Sequence, residues 1–443
     1  MNKTLTTLAL LLWACLSWPV WAQQGWSVQH FALQLEPRFE SRTMVGTLDM
    51  AFSVQDTKLH HVDLDAGELV VGAVTLGAQA LVFEKSGTRL HITLPDGMVA
   101  GRRQHLRISY QGRASSGLRF DADSQQVATA FSTSHWMPCL DDPSVRARFT
   151  LTLALPPKLV SVGNGNPRPP VQRPGRLTEH VWRLDTPMPS YVYGFAAGPF
   201  EQSRQTAGKT TLEYFGPQPF TPQSLDQVFA DSVDMLAFYE KRSGIPYPLP
   251  AYRQVLLAGP AAQEMAGYSV MGVRYGQRVL ANPQAIWLGA HEMAHQWWGN
   301  GLTNRSWRHF WLNEGIATFM TAAYFEHRFG VAAYADQIEA ARTKYLALKE
   351  AGLDRSLVFP DWDKPTAADR SLVYDKGALV LHELRNLLGD DTFWKGLKHY
   401  TRKHWGQSVE TADFRQAMEE STGRDLSQFF AQWVEIEGRP GFM

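Results

Sequence analysis

Two patterns of hydrophobic and polar positions divide the chain into an N-terminal and a C-terminal part. Over Trp26–Gly198, short stretches alternate apolar and polar residues at every second position, as in Phe31–Leu35 and Leu106–Tyr110. Clusters of Gly, Asp and Pro separate these stretches, which is typical of strands joined by turns. We therefore predict an antiparallel β domain over residues 23–205, closed as a barrel or stacked as a sandwich.

After residues 201–212 the apolar positions recur every three or four residues, which predicts helices. Glycines lie at or just past several predicted helix ends, as C-caps do; they are Gly330, Gly352, Gly389 and Gly423. The predicted helices are Gln223–Ser243, Glu314–Phe329, Ala332–Ala351, Leu372–Leu388, Asp390–His404, Ala412–Ser421 and Leu426–Val434. The whole is thus expected to be α+β, with a mainly helical second domain at residues 206–443.

Residues 1–22 have a pattern of their own and are set apart from the fold. Lys3 precedes the apolar run Leu5–Leu16, and Ala22 is a small residue at the end, as in a secretory signal peptide. A transmembrane anchor is the first alternative, but the apolar run is too short to cross a bilayer. A lipid-modified Cys15 is the second alternative. We expect cleavage after Ala22 and a periplasmic or secreted protein.

The charges balance, with 43 Lys+Arg against 43 Asp+Glu, so nothing favours nucleic acid or an anionic membrane as a partner. A chain of 443 residues exceeds one ordinary core, which agrees with two domains. Without residues 1–22 only Cys139 remains, so an intramolecular disulfide is excluded. No later stretch is long and apolar enough to span a bilayer.

The strongest chemical signal is the stretch HEMAHQWWGN at residues 291–300. His291 and His295 stand four positions apart, so on a helix both imidazoles project from one face, with Glu292 directly beside them. Such a pair suits Zn²⁺, which takes a third protein ligand in catalytic sites. Glu314 is the candidate, brought to the pair by two helices packed antiparallel through a short turn. The alternative is a pair of ordinary surface histidines.

These residues carry a resemblance to a known family. HEMAHQWWGN followed by WLNEGIAT at 311–318 resembles the HExxH-x18-E signature of the aminopeptidase N family of zinc metallopeptidases. In the N-terminal part, WMPCLDDPS at 136–144 resembles another of its segments, as do residues 162–166 and 191–200. The resemblance implies a saddle-shaped β domain followed by a thermolysin-like catalytic domain. It also implies a short form, without the C-terminal helical domain of longer members, and a more open cleft.

The resemblance implies one Zn²⁺ per chain, with His291, His295 and Glu314 as ligands and Glu292 as the general base. Cys139, in the segment at 136–144, is then a structural residue.

The resemblance also implies substrate-related roles for two further residues, Glu264 and Tyr374. Glu264 lies in QEMAG, where the family has a G-x-M-E-N motif, which implies that its carboxylate pairs with a substrate's α-ammonium group. Tyr374 lies in VYDKGA, which resembles the family's Y-x-K-G segment and implies a phenol that serves the transition state. A solvated loop Glu and a buried core Tyr are the alternatives. Two positions depart from the family: Met265 replaces the motif's Asn, and Thr129 replaces a Gln or Glu.

Three functions remain open from the sequence. The first is a zinc aminopeptidase that acts on peptides. The second is a zinc hydrolase of the same fold that cuts internally or acts on blocked substrates, which Met265 and Thr129 favour. The third is a non-catalytic binding protein on a peptidase scaffold, and the intact metal motif argues against it. Peptides are the expected partners, and the sequence makes no prediction of oligomeric state.

Overall fold

The computed structural model describes residues 25–435, apart from 114–115, 174–176, 261, 360–361 and 363–364. The predicted signal peptide and its cleavage site lie outside the described residues. Within them, none of the helices has both the length and the apolar character needed to cross a membrane.

Alternating side chains build the strands of the N-terminal part. Phe31, Leu33 and Leu35 are buried, while the residues between them are half-buried or exposed, so one face of the first strand lies on the core. The strands are β1 (Trp26–Arg38), β2 (Thr43–Val54), β3 (His61–Asp65), β4 (Val70–Leu76), β5 (Gln79–Ala80), β6 (Phe83–Ser86), β7 (Arg89–Thr93), β8 (Gln104–Gly112), β9 (Leu118–Asp121), β10 (Gln126–Thr129), β11 (Arg146–Leu155), β12 (Val160–Gly163), β13 (Asn166–Pro167), β14 (Val171–Arg173), β15 (Leu177–Pro189) and β16 (Phe195–Gly198).

The largest sheet has the order β13-β15-β11-β1-β2-β8-β4-β5, and β14 also pairs with β15. Its register places Leu33 opposite Leu48 of β2 and Leu151 of β11, so three leucines share the buried face. The described strand pairs of this sheet are antiparallel except β1 with β11, which is parallel. The predicted antiparallel domain thus contains one parallel pair, which the sequence analysis did not foresee.

Two smaller sheets, β12-β16-β10-β9 and β3-β7-β6, share a hydrophobic core with the large sheet. The rings of Phe149 and Tyr193 stack there at 4.4 Å, and the edge of Trp136 meets Phe149. Cys139 is fully buried in the same core as a free thiol. Its surroundings fit the structural role that the resemblance implies.

The strands of the second part are β17 (Glu201–Ala207), β18 (Thr210–Gly216), β19 (Ala251–Leu257), β20 (Ala262–Gln263), β21 (Tyr268–Gly272), β22 (Thr303–Asn304) and β23 (Ser408–Val409). The first five form a sheet of order β17-β18-β19-β21-β20. Its central pairs, β18 with β19 and β19 with β21, are parallel. The predicted boundary between residues 205 and 206 falls within β17.

Helices make up the rest of the second part. They are α1 (Pro222–Val228), α2 (Ser232–Ser243), α3 (Val273–Ala281), α4 (Trp287–Ala294), α5 (Trp311–Phe329), α6 (Val331–Glu350), α7 (Ala367–Ser371), α8 (Gly377–Leu388), α9 (Asp390–Lys403), α10 (Thr411–Thr422) and α11 (Ser427–Phe430). Leu372–Lys376 and Ala431–Glu435 are π-helical turns. Every residue of α5 from Trp311 to Phe325 is buried, as expected of a central helix with apolar residues on all faces.

The predicted α+β architecture is confirmed, with three local differences. The predicted helix Gln223–Ser243 is two helices, α1 and α2, and the second ends at Gly244 in the left-handed region. The predicted helix at Leu372 begins as a π turn and becomes α-helical at Gly377. The connection between α4 and α5 is no short turn, because it contains β22 and a 3₁₀ turn at Trp307–His309.

Candidate metal centre

Helix α4 and the residue after it carry the two histidines. His295 follows the last residue of α4 and keeps helical backbone angles, so it stays one turn beyond His291. The two Nε2 atoms are 3.0 Å apart, and the ring planes are nearly perpendicular. Both side chains are buried, which excludes the alternative of ordinary surface histidines.

Glu314, in the first turn of α5, completes a cluster with this pair. Its Oε2 lies 3.3 Å from Nε2 of His291 and 3.3 Å from Nε2 of His295. Donor atoms about 2.0–2.1 Å from a tetrahedral zinc ion are about 3.3 Å from one another. The three donors thus have the spacing of three corners of a zinc site. Among the described residues, they form the one group of His, Cys, Asp or Glu side chains close enough to share a metal ion.

The two imidazole rings are oriented in different ways. Nδ1 of His295 lies 2.9 Å from the carbonyl oxygen of Trp298, so Nδ1–H donates there and leaves Nε2 free to bind a metal. Nδ1 of His291 is buried and has no hydrogen-bond partner among the described residues. Its ring instead stacks on Trp287 at 4.7 Å and on Tyr374 at 5.6 Å. Aromatic packing therefore orients His291.

The charges in the cluster favour a cation between the donors. Burial raises the pKa of Glu314, but His295 and His291 outweigh it and bring that pKa to about 2. Burial lowers the pKa of His295, but Glu314 and Glu264 outweigh it and bring it to about 10. Burial, then His295, lowers the pKa of His291 to about 4. A metal ion bound here would replace the proton that His295 carries.

Glu292 projects from α4 beside the cluster and is buried. Its Oε2 has no hydrogen-bond partner among the described residues, which is costly for a buried polar atom unless a water or substrate reaches it. Burial raises the pKa of Glu292 well above its ordinary value; His295 opposes this rise, and Glu264 adds to it. A carboxylate of raised pKa beside a metal site suits general acid–base work.

Tyr374 lies in the π turn Leu372–Lys376, a form that is frequent at functional sites. Its ring is nearly parallel to that of His291. Burial raises the pKa of Tyr374 well above its ordinary value, and the nearby carboxylates of Glu314 and Glu264 raise it further. The phenol therefore keeps its proton and can act as a hydrogen-bond donor at the metal cluster.

A contact between two glycines brings this π turn to the cluster. Gly315 follows Glu314 in α5, and Gly377 begins α8 after the π turn. A Cβ on Gly315 would lie 2.8 Å from Cα of Gly377, and a Cβ on Gly377 would lie 2.8 Å from Cα of Gly315. Both distances are well below the optimal carbon–carbon contact of about 3.5–4.0 Å. Only glycine at both positions allows the two helices to approach this closely.

Glu264 lies between β20 and β21 and is 4 % exposed, which argues against a solvated loop residue. Burial raises its pKa, which the neighbouring His295 partly opposes. A residue of the HEMAHQWWGN stretch holds the backbone of Glu264, because Nδ2 of Asn300 donates to the carbonyl oxygen of Glu264 at 3.1 Å. Gln296 donates to the carbonyl of Met265 at 3.1 Å and accepts from the backbone N–H of Gly267 at 3.0 Å.

The two departures from the family pattern lie together, around Gly194. A Cβ on Gly194 would meet both Oγ1 of Thr129 and the terminal methyl of Met265. The Thr129 hydroxyl is already engaged, because it accepts from the backbone N–H of Phe195 at 2.8 Å and lies 3.3 Å from its carbonyl oxygen. Met265 is fully buried. Glu264 therefore lies close enough to His295 and Glu314 for them to affect its pKa, whereas the Thr129 hydroxyl is bonded to the backbone of Phe195.

Reasoning from the sequence assigned no individual role to Gln296, Asn300 or Trp287. The first two belong to the HEMAHQWWGN stretch, and their burial next to a metal motif is the signal that they hold other parts of the site. Trp287 stands four positions before His291, a helical spacing that places the indole against the imidazole. That spacing is visible in the sequence, but the stacking is not.

Two family models match the chain. The Peptidase M1 N-terminal domain model matches residues 27–192, and the Peptidase family M1 domain model matches residues 228–433. The chain belongs to peptidase family M1. The resemblance to a family of zinc metallopeptidases with two successive domains is thereby confirmed.

Curated relatives of this M1 chain include longer proteins. The aminopeptidase N of Lactococcus lactis is 25 % identical over 452 residues, which cover 93 % of this chain and 51 % of that protein. The leucyl aminopeptidase of Saccharolobus solfataricus is 24 % identical over 419 residues, which cover 89 % of this chain and 53 % of that protein. The chain thus spans about half the length of the curated relatives it matches.

Solved structures of similar size share the fold of this M1 chain. An M1 zinc metallopeptidase from Deinococcus radiodurans matches with a TM-score of 0.78 and 24 % identity, covering 95 % of each chain. A two-domain M1 zinc metallopeptidase bound to L-tryptophan matches with a TM-score of 0.80 and 24 % identity, covering 95 % of this chain and 96 % of that one. These likenesses confirm the predicted order of a β domain and a helical domain.

Proposed function

We propose that the chain is a zinc-dependent aminopeptidase that hydrolyses the N-terminal peptide bond of peptides. The observation that carries the proposal is the cluster of His291, His295 and Glu314, whose donor atoms have the spacing of zinc ligands. Membership of peptidase family M1 and the names of the curated relatives agree with it.

His291, His295 and Glu314 would hold the zinc ion, which would supply a Lewis acid for the substrate carbonyl and for the attacking water. Glu292 takes a proton from the attacking water on a carboxylate oxygen and delivers it to the nitrogen of the leaving amine. Its unpartnered Oε2 and raised pKa support both halves of this transfer.

Tyr374 donates its phenolic hydrogen to the oxyanion that forms as the carbonyl carbon becomes tetrahedral. A donor that is fixed before the reaction stabilises this charge without reorganisation. The π turn and the stacking on His291 fix the phenol in this way.

Glu264 pairs with the α-ammonium group of the substrate and so selects a free N-terminus. A buried carboxylate near the metal cluster makes a charge-assisted hydrogen bond of the kind that an ammonium group needs. Since Gln296 and Asn300 hold the backbone around Glu264, the distance from the amine to the metal is set by α4 and the turn after it.

A panel of free and N-acetylated aminoacyl fluorogenic substrates, combined with metal analysis of the purified protein, tests this proposal. We expect about one zinc ion per chain and efficient cleavage of free-amine substrates alone. Undiminished activity after exhaustive chelation, in a protein shown to be zinc-free, would overturn it.

A second candidate is a zinc hydrolase of the same fold that also accepts blocked or internal peptide bonds. What favours it is the engagement of the Thr129 hydroxyl by Phe195 and the burial of Met265, which leave amine recognition to Glu264. Equal cleavage of free and acetylated substrates would select this candidate.

We also propose that the protein is exported with cleavage after Ala22. The charged start, the apolar run Leu5–Leu16 and the small residue at position 22 support this proposal. N-terminal sequencing and intact mass of periplasmic or secreted material test it, and the expected N-terminus is Gln23. A retained Met1 or a lipidated Cys15 would contradict it.

A further inference from the structure

The metal ligands come from two segments that the chain must hold in register. His295 ends the first segment, and Glu314 begins the second after a long connection. Within this connection, the backbone N–H of Asn304 donates to Oδ1 of Asn313, the residue before Glu314, at 3.1 Å. The side chain of Asn313 is therefore one of the links that join the connection to the start of α5.

Tyr191, from the N-terminal domain, reaches into this connection. Its hydroxyl donates to the carbonyl oxygen of Gly299 at 3.2 Å and accepts from Nδ2 of Asn313 at 3.1 Å. One O–H hydrogen and one lone pair are thus used, and the phenol joins the turn after His295 to the residue before Glu314. The ring packs edge-on against Trp307 at 5.1 Å, which fixes its direction.

Arg146 of β11 makes a second contact from the same domain. Nη2 donates to the carbonyl oxygen of Asn300 at 2.8 Å, and Nη1 donates to Oγ1 of Thr303 at 2.7 Å. The Thr303 hydroxyl in turn donates to the carbonyl oxygen of Gly299 at 2.6 Å. Two side chains of the N-terminal domain therefore meet at the carbonyl groups directly after the metal motif.

We propose that Tyr191 is a positioning residue of the metal centre, which sets the separation between the histidine ligands and Glu314 across the domain boundary. Arg146 supports the same turn. By this inference, residues of the N-terminal domain help to determine the metal affinity of the site. The inference rests on the proposed zinc site and goes beyond it, since it assigns a metal-affinity role to residues that do not touch the metal.

The matched pair Tyr191→Phe and Tyr193→Phe tests the proposal. Both tyrosines are buried, lie two residues apart and lose only a hydroxyl group in these variants. The Tyr193 hydroxyl lies 2.6 Å from the carbonyl of Ala147 and 2.7 Å from that of Met188, both within the N-terminal domain. Tyr193→Phe thus removes a comparable buried hydrogen bond without touching the connection between the metal ligands.

The measurement is the zinc dissociation constant of the full chain, obtained by competition with a chromophoric chelator. Loss of a group that orients metal ligands typically weakens metal binding 10- to 100-fold. We expect Tyr191→Phe to raise the dissociation constant at least about tenfold, and Tyr193→Phe to leave it within about twofold of wild type. Equal dissociation constants for the two variants would overturn the proposal.

A double-mutant cycle gives an independent readout. If Tyr191 acts through Asn313, the effects of Tyr191→Phe and Asn313→Ala on zinc affinity are less than additive. Fully additive effects would overturn the proposed route. Arg146→Lys is the second single variant, and it is expected to weaken zinc binding in the same direction.

Failure of this inference is distinguishable from failure of the proposed function. A wild-type chain that binds no zinc refutes the zinc site itself. A wild-type chain that binds zinc tightly, with Tyr191→Phe unchanged, leaves the zinc site standing and refutes the role of Tyr191.

Discussion

Two regions of the candidate site differ in the number of residues that serve each proposed role. The metal end comprises the candidate metal ligands with Glu292 and Tyr374, and the amine end comprises Glu264 and its surroundings. At the metal end, His291, His295 and Glu314 form one cluster of donor atoms, and the ring of Tyr374 stacks on His291. Glu292 is buried on the same helix as His291. At the amine end, Glu264 is the carboxylate that reaches the cluster, while Thr129 and Met265 are engaged around Gly194. If the proposed function holds, we therefore expect that substitutions can affect hydrolysis without affecting the choice of substrate end, and the reverse.

The largest expected effect is at the metal end. Glu292→Gln removes the proposed general base but keeps the size of the side chain, so we expect turnover to fall by about three orders of magnitude or more. Steady-state kinetics measure the loss, and metal analysis of the same sample is the control, with zinc content unchanged. Near-normal turnover would mean that another group accepts the proton.

Tyr374→Phe is expected to be the next in size. It removes the proposed oxyanion donor. Loss of such a donor typically costs roughly 3 kcal/mol, so we expect kcat to fall about a hundredfold or more while KM changes little. Tyr334→Phe, in α6, is the matched control, because that hydroxyl bonds to His382 and not to the metal cluster. A change confined to KM would show that the Tyr374 phenol binds substrate without selecting the transition state.

Glu264→Ala examines the amine end. An ammonium group left without its partner in a desolvated cleft costs a few kcal/mol. We therefore expect kcat/KM for free-amine substrates to fall at least about a hundredfold, roughly 3 kcal/mol, with acetylated substrates barely affected. If cleavage of both substrate classes fell equally, Glu264 would serve the metal chemistry and not the recognition of the amine. The two regions would then not be separable.

Thr129→Val should have the smallest effect on catalysis. The hydroxyl that it removes bonds to the backbone of Phe195, so the variant should lose about 1–2 kcal/mol of unfolding free energy. Urea denaturation measures this loss, and the preference for free over acetylated substrates should stay at the wild-type value. A clear fall in that preference would place Thr129 in amine recognition after all.

Local patterns in the sequence were sufficient for several helices and for the candidate metal ligands. The helical periodicity located α5, α6, α9 and α10 to within a few residues, because each has a continuous apolar face and a glycine or polar end. His291 and His295 were predictable because a spacing of four on one helix fixes their relative positions without knowledge of the rest of the fold.

Contacts between distant segments were not predictable in this way. The hydrogen bond between Tyr191 and Asn313 joins residues 122 positions apart, and no periodicity encodes such a pairing. The parallel pairing of β1 with β11 likewise depends on the folded topology, as does the burial of Glu264. The π turn at Tyr374 differs from an α-helix by one residue per turn, which the pattern of apolar positions does not resolve.

The contact between Gly315 and Gly377 has a consequence for when the site becomes ordered. Because the two helices meet backbone to backbone, the folded chain holds Glu314 and the turn that bears Tyr374 in fixed relative positions. Ordering these residues costs conformational entropy, and that cost arises when the chain folds. It therefore does not oppose the later binding of a metal ion or a peptide. Glu314 and the Tyr374 phenol are thus held in place before a metal ion or a peptide binds. More of the binding free energy therefore remains available for affinity.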